Sequence, residues 1–435
     1  MILAQLRQPV RFVSDTKADR LVTEGGDSGV GNAAGSCDER RYDPSMPIDI
    51  DSVRADTPAT ADVIHFNNAG AALQPAAVVD AVVEHLRLEE QLGGYEAGDA
   101  ATEAKGATYA ATAELLGCAT DEIAMTTGAS EAWWRAFQSL PLRPGDRVLS
   151  CRAEYNANAF ALIQARAAGV DVELVPDDES GQIDVAALEA MMDDRVRLVT
   201  LTHIPTSGGL VNPAAEVGAI AKAHGAWYLL DACQSAGQRP LDVDELQCDF
   251  LALTGRKFLR GPRGTGALYV RGSLLDQLDD PTFIDSHSAD WVADDEYELH
   301  AGAERYELFE SAVAARVGLG VAVRYALDLG LDAIAERTTA LGATLRQRLE
   351  EIGAEVHDQG TDRCGIVVFS LPGADAGTLV GELRRRRIHT SVAQSRSAMP
   401  DLGARGITTA VRASVHYYNT DDEIDAFIDA LGHVR

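Results

Sequence analysis

Lysine is nearly missing from this chain. Of 435 residues and 38 basic side chains, four are lysines, at positions 17, 105, 222 and 257, and arginine supplies the rest. That skew fits a GC-rich genome and makes each lysine worth asking about. Cysteine is sparse too. The six thiols, Cys37, Cys118, Cys151, Cys233, Cys248 and Cys364, include no C-x-x-C pair, which argues against a zinc site or a disulfide framework and for reduced thiols. No run approaches the ~20 uncharged apolar residues of a membrane helix. The opening MILAQLRQPVRFVSDTK lacks the apolar core and small-residue cleavage site of a secretory signal, so a cytoplasmic location is the default expectation. A formal charge of -29 works against binding nucleic acid or an anionic membrane, so neither is expected as a partner. It leaves room for a local basic pocket. Apolar residues, at 46%, are plentiful enough for two or three cores.

Residues 1 to about 58 mix Gly, Ser, Asp and Arg without apolar periodicity (EGGDSGVGNAAGSCDERR) and read as a flexible N-terminal extension. From Val63 short β-rich runs alternate with amphipathic helical stretches. VIHFNN precedes a helix opening at Pro75, DEIAMTT one from Ser130, and DRVLSC the helix NANAFALIQARAAG; VDVELVP, RVRLVTLTH, WYLLDA, CDFLALTG and GALYVR follow. Strands separated by helices predict an α/β fold, a mostly parallel sheet covered on both faces, over a large domain at 59–310. The remaining helices, with GIVVFSL and AVRASVHYY as strands, predict a smaller α+β domain at 311–435.

The stretch from 227 to 270 sets two chemically apt residues after adjacent apolar runs. Asp231 ends WYLLD, at the carboxyl edge of a sheet, where ligands bind in open α/β folds. A carboxylate there can keep a pyridine nitrogen protonated; an isolated Asp serves as a helix cap or ion-pair partner about as often. Lys257 lies between CDFLALTGR and FLRGPRGTG. Burial lowers a lysine's pKa and frees its amine to form an imine, whereas a lone lysine beside a Gly-rich loop is more often a solvated phosphate clamp. Thr254 and Arg256 beside it offer a hydroxyl and a guanidinium suited to a phosphate ester.

These motifs resemble the class V aminotransferase family of pyridoxal 5'-phosphate (PLP) enzymes. That family holds cysteine desulfurases, selenocysteine lyase, isopenicillin N epimerase-like proteins and the ergothioneine carbon-sulfur lyase. The resemblance runs from about Val63 to the C-terminus and implies the PLP-dependent transferase fold type I, an imine between PLP and Lys257, a small amino-acid substrate and a homodimer. It further implies Asp231 on the ring nitrogen and Gln234, in DACQ, near the phenolic oxygen, with Thr206 of HIPTSGGLVNP in the usual asparagine position. Thr254 and Arg256 occupy the places of a serine and a histidine on the phosphate. TTGASEAWW is similar to a turn into a helix whose first amides, at Ala129 and Ser130, bind phosphate, as free N–H groups at a helix start can. Asn156, in EYNANAF, takes the place of a ring-stacking histidine. Arg412, in AVRASVHYY, takes the role of the arginine that grips the substrate carboxylate through its fork of donors, and Asn68 and Ala69 of HFNNAGAALQP face the substrate. RYELFESAV resembles an element near the domain junction, and Arg305 and Glu307 there are expected to form a structural ion pair.

The pattern departs from the family at two points. In its desulfurases a cysteine shortly before the carboxylate arginine takes the substrate sulfur. The corresponding stretch here, SVAQSRSAMPDLGARGITTAVRAS, has none; Ser397 aligns with it, and a hydroxyl cannot carry a persulfide. Cys364, the nearest thiol upstream, reads as a core residue. An asparagine at 156 cannot shuttle protons as imidazole does, which leaves Lys257 as the base; Tyr155, His203, His287 and His416 read as structural. The expectation is a carbon-sulfur lyase acting by β-elimination. An epimerase and an aminotransferase are the catalytic alternatives, and a catalytically silent PLP-fold binding protein is the non-enzymatic one.

Overall fold

The computed structural model describes residues 47–433, so most of the expected extension, 1–46, lies outside the described residues. The chain runs through α1 (Ile50–Ala55), β1 (Ile64–His65), α2 (Ala76–Leu92), α3 (Gly94–Ala100), α4 (Thr102–Leu116), β2 (Ile123–Thr126), α5 (Ala129–Gln138), β3 (Arg147–Ser150) and α6 (Asn156–Ala167). Next come β4 (Asp171–Leu174), α7 (Val185–Met191), β5 (Val196–Thr202), α8 (Ala214–Ala223), β6 (Trp227–Asp231), β7 (Phe250–Thr254), β8 (Gly266–Val270) and a hairpin of β9 (Ala289–Ala293) and β10 (Glu296–Leu299). The last part comprises α9 (Val313–Leu329), α10 (Leu331–Glu351), β11 (Glu355–Val356), β12 (Ile366–Ser370), α11 (Ala376–Arg385), β13 (Ile388–His389), β14 (Ser391–Gln394), β15 (Thr409–Ser414) and α12 (Asp421–Gly432).

Seven strands form the main sheet in the order β2-β8-β7-β6-β5-β3-β4. The five from β7 to β4 are parallel, and β8 runs antiparallel to both its neighbours. Strands buried on both faces need apolar side chains in both directions, which is why FLALT and GALYV are continuous rather than alternating runs, every residue of each being buried. Polar residues appear where these strands stop. Ser150, Thr202, Asp231 and Thr254 end β3, β5, β6 and β7, four strands pointing the same way, and so line up along one carboxyl edge. Gly266 opens β8 where a Cβ would lie 2.5 Å from the Leu253 carbonyl oxygen and 2.6 Å from Gly128 Cα. Only glycine lets the start of α5 approach the sheet this closely.

A four-stranded antiparallel sheet, β11-β12-β15-β14, carries the second core. Leu345, Leu383 and Phe427 of α10, α11 and α12 pack there against Phe66, Val367 and Phe369. β1 pairs in parallel with β13, and Asn67 bridges to Ser414, so the segment before α2 is tied to the C-terminal sheet.

Two boundaries differ from the sequence reading. Folded chain begins before residue 59: Asp49 caps α1, Val53 is fully buried, and Arg54 pairs with Glu423 at 2.8 Å. A run of six helical residues was too short to show periodicity. Helix α9, expected to open the C-terminal domain, contributes Leu319, Val323 and Ala326 to the same core as β5 and β7, and packs on α2 and α4. Among the described residues no helix is long and apolar enough to cross a membrane.

Candidate active site

The carboxyl edge of the main sheet opens into a cleft lined by Thr127, Ala129, Ser130, Tyr155, Asp231, Cys233, Thr254, Arg256 and Lys257, among others. Each arrives for a local reason. Asp231 and Thr254 are strand-terminal; Arg256 and Lys257 follow β7 in the turn that leads to β8; Ala129 and Ser130 begin α5. The first amides of α5 have no carbonyl four residues back within the helix, and they open on this cleft together with the helix's positive end. Glu131 is turned back onto the Thr127 N–H at 2.8 Å and onto Arg135.

Lys257 is buried and its Nζ donates to Cys233 Sγ at 3.1 Å. Burial lowers its pKa, and Arg256 beside it pushes the same way against Cys233 and Asp231. The amine is thereby closer to its nucleophilic neutral form than a surface lysine. Asp231 accepts the Cys233 N–H at 2.9 Å on one oxygen and Asn158 Nδ2 at 2.8 Å on the other. Burial raises its pKa, while these two bonds and Lys257 oppose the rise.

A second cluster adjoins the cleft. Arg412, on β15, donates from Nη1 to Thr206 Oγ1 at 2.7 Å and to the Thr206 carbonyl at 3.0 Å, and from Nη2 to Asn67 Oδ1 at 3.2 Å. Gln234 Nε2 donates to Thr206 Oγ1 at 3.0 Å and to the Ala69 carbonyl at 3.3 Å. Arg256 donates to the Gly70 carbonyl. Burial brings the Arg412 pKa down to about 10; Arg256 adds to this fall and Tyr155 opposes it. Among the described residues neither arginine has a carboxylate within ion-pair reach, and Arg412 Nε and Gln234 Oε1 are buried without a hydrogen-bond partner.

Nine of the twelve expected site residues, Ala129, Ser130, Thr206, Asp231, Gln234, Thr254, Arg256, Lys257 and Arg412, thus fall in the cleft or the adjoining cluster. Ala69 contributes only its carbonyl, its side chain being 1% exposed. Asn68 does not face a substrate. Its Nδ2 goes to the Ser414 carbonyl at 2.7 Å and its Oδ1 takes the Tyr418 hydroxyl, so the preceding Asn67 holds the position on Arg412. Asn156 is displaced likewise: it is the first residue of α6, half-buried, and Tyr155 before it lines the cleft. The Arg305–Glu307 pair is not made. Glu307 bonds Arg316 at 2.9 Å and the Tyr109 hydroxyl at 2.6 Å, and Arg305 donates to the His300 carbonyl. His203 and His416 are buried, and burial lowers both, His203 to about 4, so they stay neutral near pH 7.

Four site residues went unnoticed in the sequence: Asn67, Cys233, Asn158 and Glu154. Glu154 precedes the Tyr155 cap of α6 and Asn158 lies in its first turn, joined by a direct hydrogen bond, and DACQ names Cys233 beside the aspartate.

These residues fit PLP: a buried amine, a strand-end carboxylate, a helix start with a hydroxyl and a guanidinium for a phosphate, and bases with no acid of their own. Comparison with known proteins points the same way. The family described as aminotransferase class-V matches residues 64–427. A probable cysteine desulfurase of Methanothermobacter thermautotrophicus is 30% identical over 391 residues, 88% of this chain and 98% of that one. Another, from Xylella fastidiosa, is 33% identical over 383 residues, covering 86% and 91%. Among solved structures, a cysteine desulfurase from Thermococcus onnurineus superposes with a TM-score of 0.83 at 28% identity, covering 90% of this chain and 98% of that chain. The fold also matches that of a cysteine desulfurase from Escherichia coli, TM-score 0.81 at 24% identity, covering 89% and 99%. The chain belongs to the class V aminotransferase family of PLP-dependent enzymes, with their fold type I architecture.

Proposed function

We propose that the protein breaks the carbon-sulfur bond of a small amino acid by β-elimination, without passing the sulfur to a cysteine of its own. The observation that carries this reading is the state of the thiols. Among the described residues, Cys233 is the cysteine that lines the cleft; it is held on Lys257 at 3.1 Å, and burial pushes its pKa up, the reverse of what a sulfur-accepting nucleophile needs. The segment from 391 to 414 has no cysteine, and Ser397 offers a hydroxyl.

Bound PLP supplies an electron sink for the charge left at the substrate α-carbon when its proton is removed. In this reading Lys257 would hold the cofactor and serve as the base for the α-proton, its basicity set by the burial that lowers its pKa. Asp231 would serve the ring nitrogen, and the α5 amides at Ala129 and Ser130, with Thr254 and Arg256, would hold the phosphate. Gln234 and Thr206 would serve the phenolic oxygen, and Tyr155 rather than Asn156 would pack on the ring. Arg412, braced by Thr206 and Asn67, orients the carboxylate. Cleavage of the Cβ–S bond then releases a thiol, and the remaining three-carbon fragment takes up one water to give pyruvate and ammonium.

A second reading follows from the relatives named probable cysteine desulfurase: the substrate is cysteine and the product alanine. The products separate the two. Purified protein with PLP, given L-cysteine or a cysteine S-conjugate, is expected to release pyruvate and ammonium in equal amounts, and Lys257→Ala to release neither. Alanine and a protein-bound persulfide in place of pyruvate would refute elimination.

We further propose a homodimer. Val79, Val83 and Leu86 expose an apolar stripe along α2, and Leu92, Tyr95 and Phe309 are exposed at and beyond its end, the rings of the last two lying 6.2 Å apart. Light scattering on Val83→Glu/Leu86→Glu should report the monomer mass if this face pairs two copies, and an unchanged dimer would rule the face out.

A further inference from the structure

Behind Asp231 lies a second carboxyl group for which the reaction has no stated use. Glu154, 4% exposed, sits between the ends of β3 and β5. Its Oε1 takes three donors: the Thr202 hydroxyl, the Tyr155 N–H at 2.8 Å and Asn158 Nδ2 at 2.9 Å. Its Oε2 meets the Ser150 hydroxyl alone, at 3.1 Å. The Asn158 amide, itself fully buried, spends its other hydrogen on Asp231 Oδ2 at 2.8 Å, so one NH2 group ties the two carboxyls together. Among the described residues Asn158 Oδ1 has no hydrogen-bond partner. Turning the amide over would aim that oxygen at both carboxyls and break both bonds, so the two bonds fix its orientation.

We propose that Glu154 and Asp231 titrate as one unit in which the proton stays on Glu154 Oε2, so that Asp231 is presented to the cleft as the carboxylate. The proposal rests on the reading that Asp231 faces the ring nitrogen of PLP, and it assigns Glu154 and Asn158 as positioning residues for that contact. Two like charges this deep cannot both ionise cheaply. Lys257 favours the charged form of Asp231, whereas among the described residues no basic side chain lies within ion-pair reach of Glu154. Burial raises the Glu154 pKa and the neighbouring Asp231 raises it further. The oxygen already holding three donors has no room for a proton, while the Ser150 hydroxyl can rotate to accept one from Oε2. The Asn158 amide then needs an acceptor on each side, and both remain acceptors.

Infrared difference spectroscopy reads the proton directly, in the PLP-free and PLP-loaded protein. At pH 7 the carbonyl stretch of a protonated carboxylic acid, shifted by deuterium exchange, is expected in wild type and absent from Glu154→Gln. In Asp231→Asn the repelling charge is gone, so the band should remain and titrate away at a higher proton concentration only if Glu154 holds the proton. A wild type without the band, or a band that survives in Glu154→Gln and vanishes in Asp231→Asn, would overturn the proposal. Glu154→Gln, which keeps a neutral hydrogen-bonding group, should also bind PLP at least tenfold or so more tightly than Glu154→Ala, about the worth of the orphaned donors; equal loss in both would count against it. Failure of the cofactor reading itself would show as wild type not binding PLP, with the band of the PLP-free protein unaffected.

Discussion

Replacing Arg412 by glutamine should separate stability from activity. The wild-type guanidinium is short of partners: Thr206 and Asn67 take its Nη atoms, its Nε is buried without an acceptor, and Arg256 repels it. The fall of its pKa to about 10, against an ordinary value of 12.5 or more, means that keeping it charged costs the folded state at most on the order of 3 kcal/mol. The sign follows from the direction: the cost is fully present below pH 10 and fades as pH rises toward the unfolded value, so the charge does not stabilise the protein at pH 7. Glutamine removes that cost and gives up some hydrogen bonds and packing, so the melting temperature of the PLP-free variant should hold or rise. Catalysis should suffer. Two charge-assisted bonds to a substrate carboxylate at about 1.5–2.5 kcal/mol each amount to a loss of roughly 10²–10⁴-fold in kcat/KM. Steady-state kinetics on a cysteine conjugate and on its methyl ester, alongside thermal melts, test this. The ester lacks the charge, so its kcat/KM should change far less. If both substrates lose equally, or if melting falls in step with activity, Arg412 is a structural residue.

Gly266→Ala forces a Cβ to within 2.6 Å of the Leu253 oxygen and Gly128 Cα, both backbone atoms; a destabilisation of about 1–3 kcal/mol and weaker PLP retention are expected, and a variant with unchanged melting and PLP affinity would contradict the close approach. Glu307 is buried, and although burial opposes it, His287 and Arg316 hold its carboxyl below the usual range; Glu307→Gln should cost about 3–5 kcal/mol because it leaves Arg316 unpaired. The Glu307 carboxylate, 3.6 Å from His287 Nε2, outweighs burial and raises the His287 pKa, so this pair's contribution is full below about pH 6.5 and is lost as pH rises through the raised value; His287→Asn should flatten that part of the stability profile measured by denaturant titration. With a formal charge of -29, self-repulsion is screened as the Debye length shrinks from ~10 Å at 0.1 M salt to ~3 Å at 1 M, so the melting temperature should climb with KCl, and a flat response would mean the surface charges are already paired.

The sheet was legible because its strands announce themselves: VRLVTLT, WYLLD and FLALT are apolar runs that close on Thr202, Asp231 and Thr254, and a polar residue ending a buried strand is already a statement about where the sheet opens. With four lysines in 435 residues, one placed shortly after a buried strand stands out, and that one is Lys257. The errors are displacements rather than misreadings of chemistry. Asn67 and Asn68 are the same residue type, and only the bridge from Asn67 to Ser414 and the bond from Tyr418 to Asn68 decide which one turns toward Arg412. Tyr155 and Asn156 straddle the start of α6, where one residue of difference in the helix boundary exchanges the inward for the outward position. Arg316 as the partner of Glu307 could not be read at all, since the two come from separate elements and Arg305 is nearer in sequence. A lone acid ahead of a helix is ordinary cap chemistry, so Glu154 carries no signal of its own in the sequence; its meaning depends on strand order, which brings β3, β5 and β6 side by side.

Arg260 shows why the cleft's arginines bear on function and others do not. It too is almost completely buried, at 1% exposure, and among the described residues it too lacks a carboxylate partner. Yet every arm of its guanidinium is used: Nε on the Leu73 carbonyl at 2.7 Å, Nη1 on the Tyr417 hydroxyl at 2.7 Å and Nη2 on the Thr57 hydroxyl at 2.5 Å, with the rings of Tyr325, Tyr417 and Tyr418 within 6 Å. Burial alone would lower the pKa of Arg260, but the neighbouring tyrosine hydroxyls, Tyr417 foremost, outweigh it and the pKa is raised. Arg412, in contrast, keeps an orphaned Nε and a lowered pKa, and has another cation beside it. A buried base that the fold has completed is part of the fold. One left incomplete, as Arg412 is in a chain with a surplus of 29 negative charges from which a partner could have been drawn, is open to an anion that arrives, which under the proposed function is the substrate carboxylate.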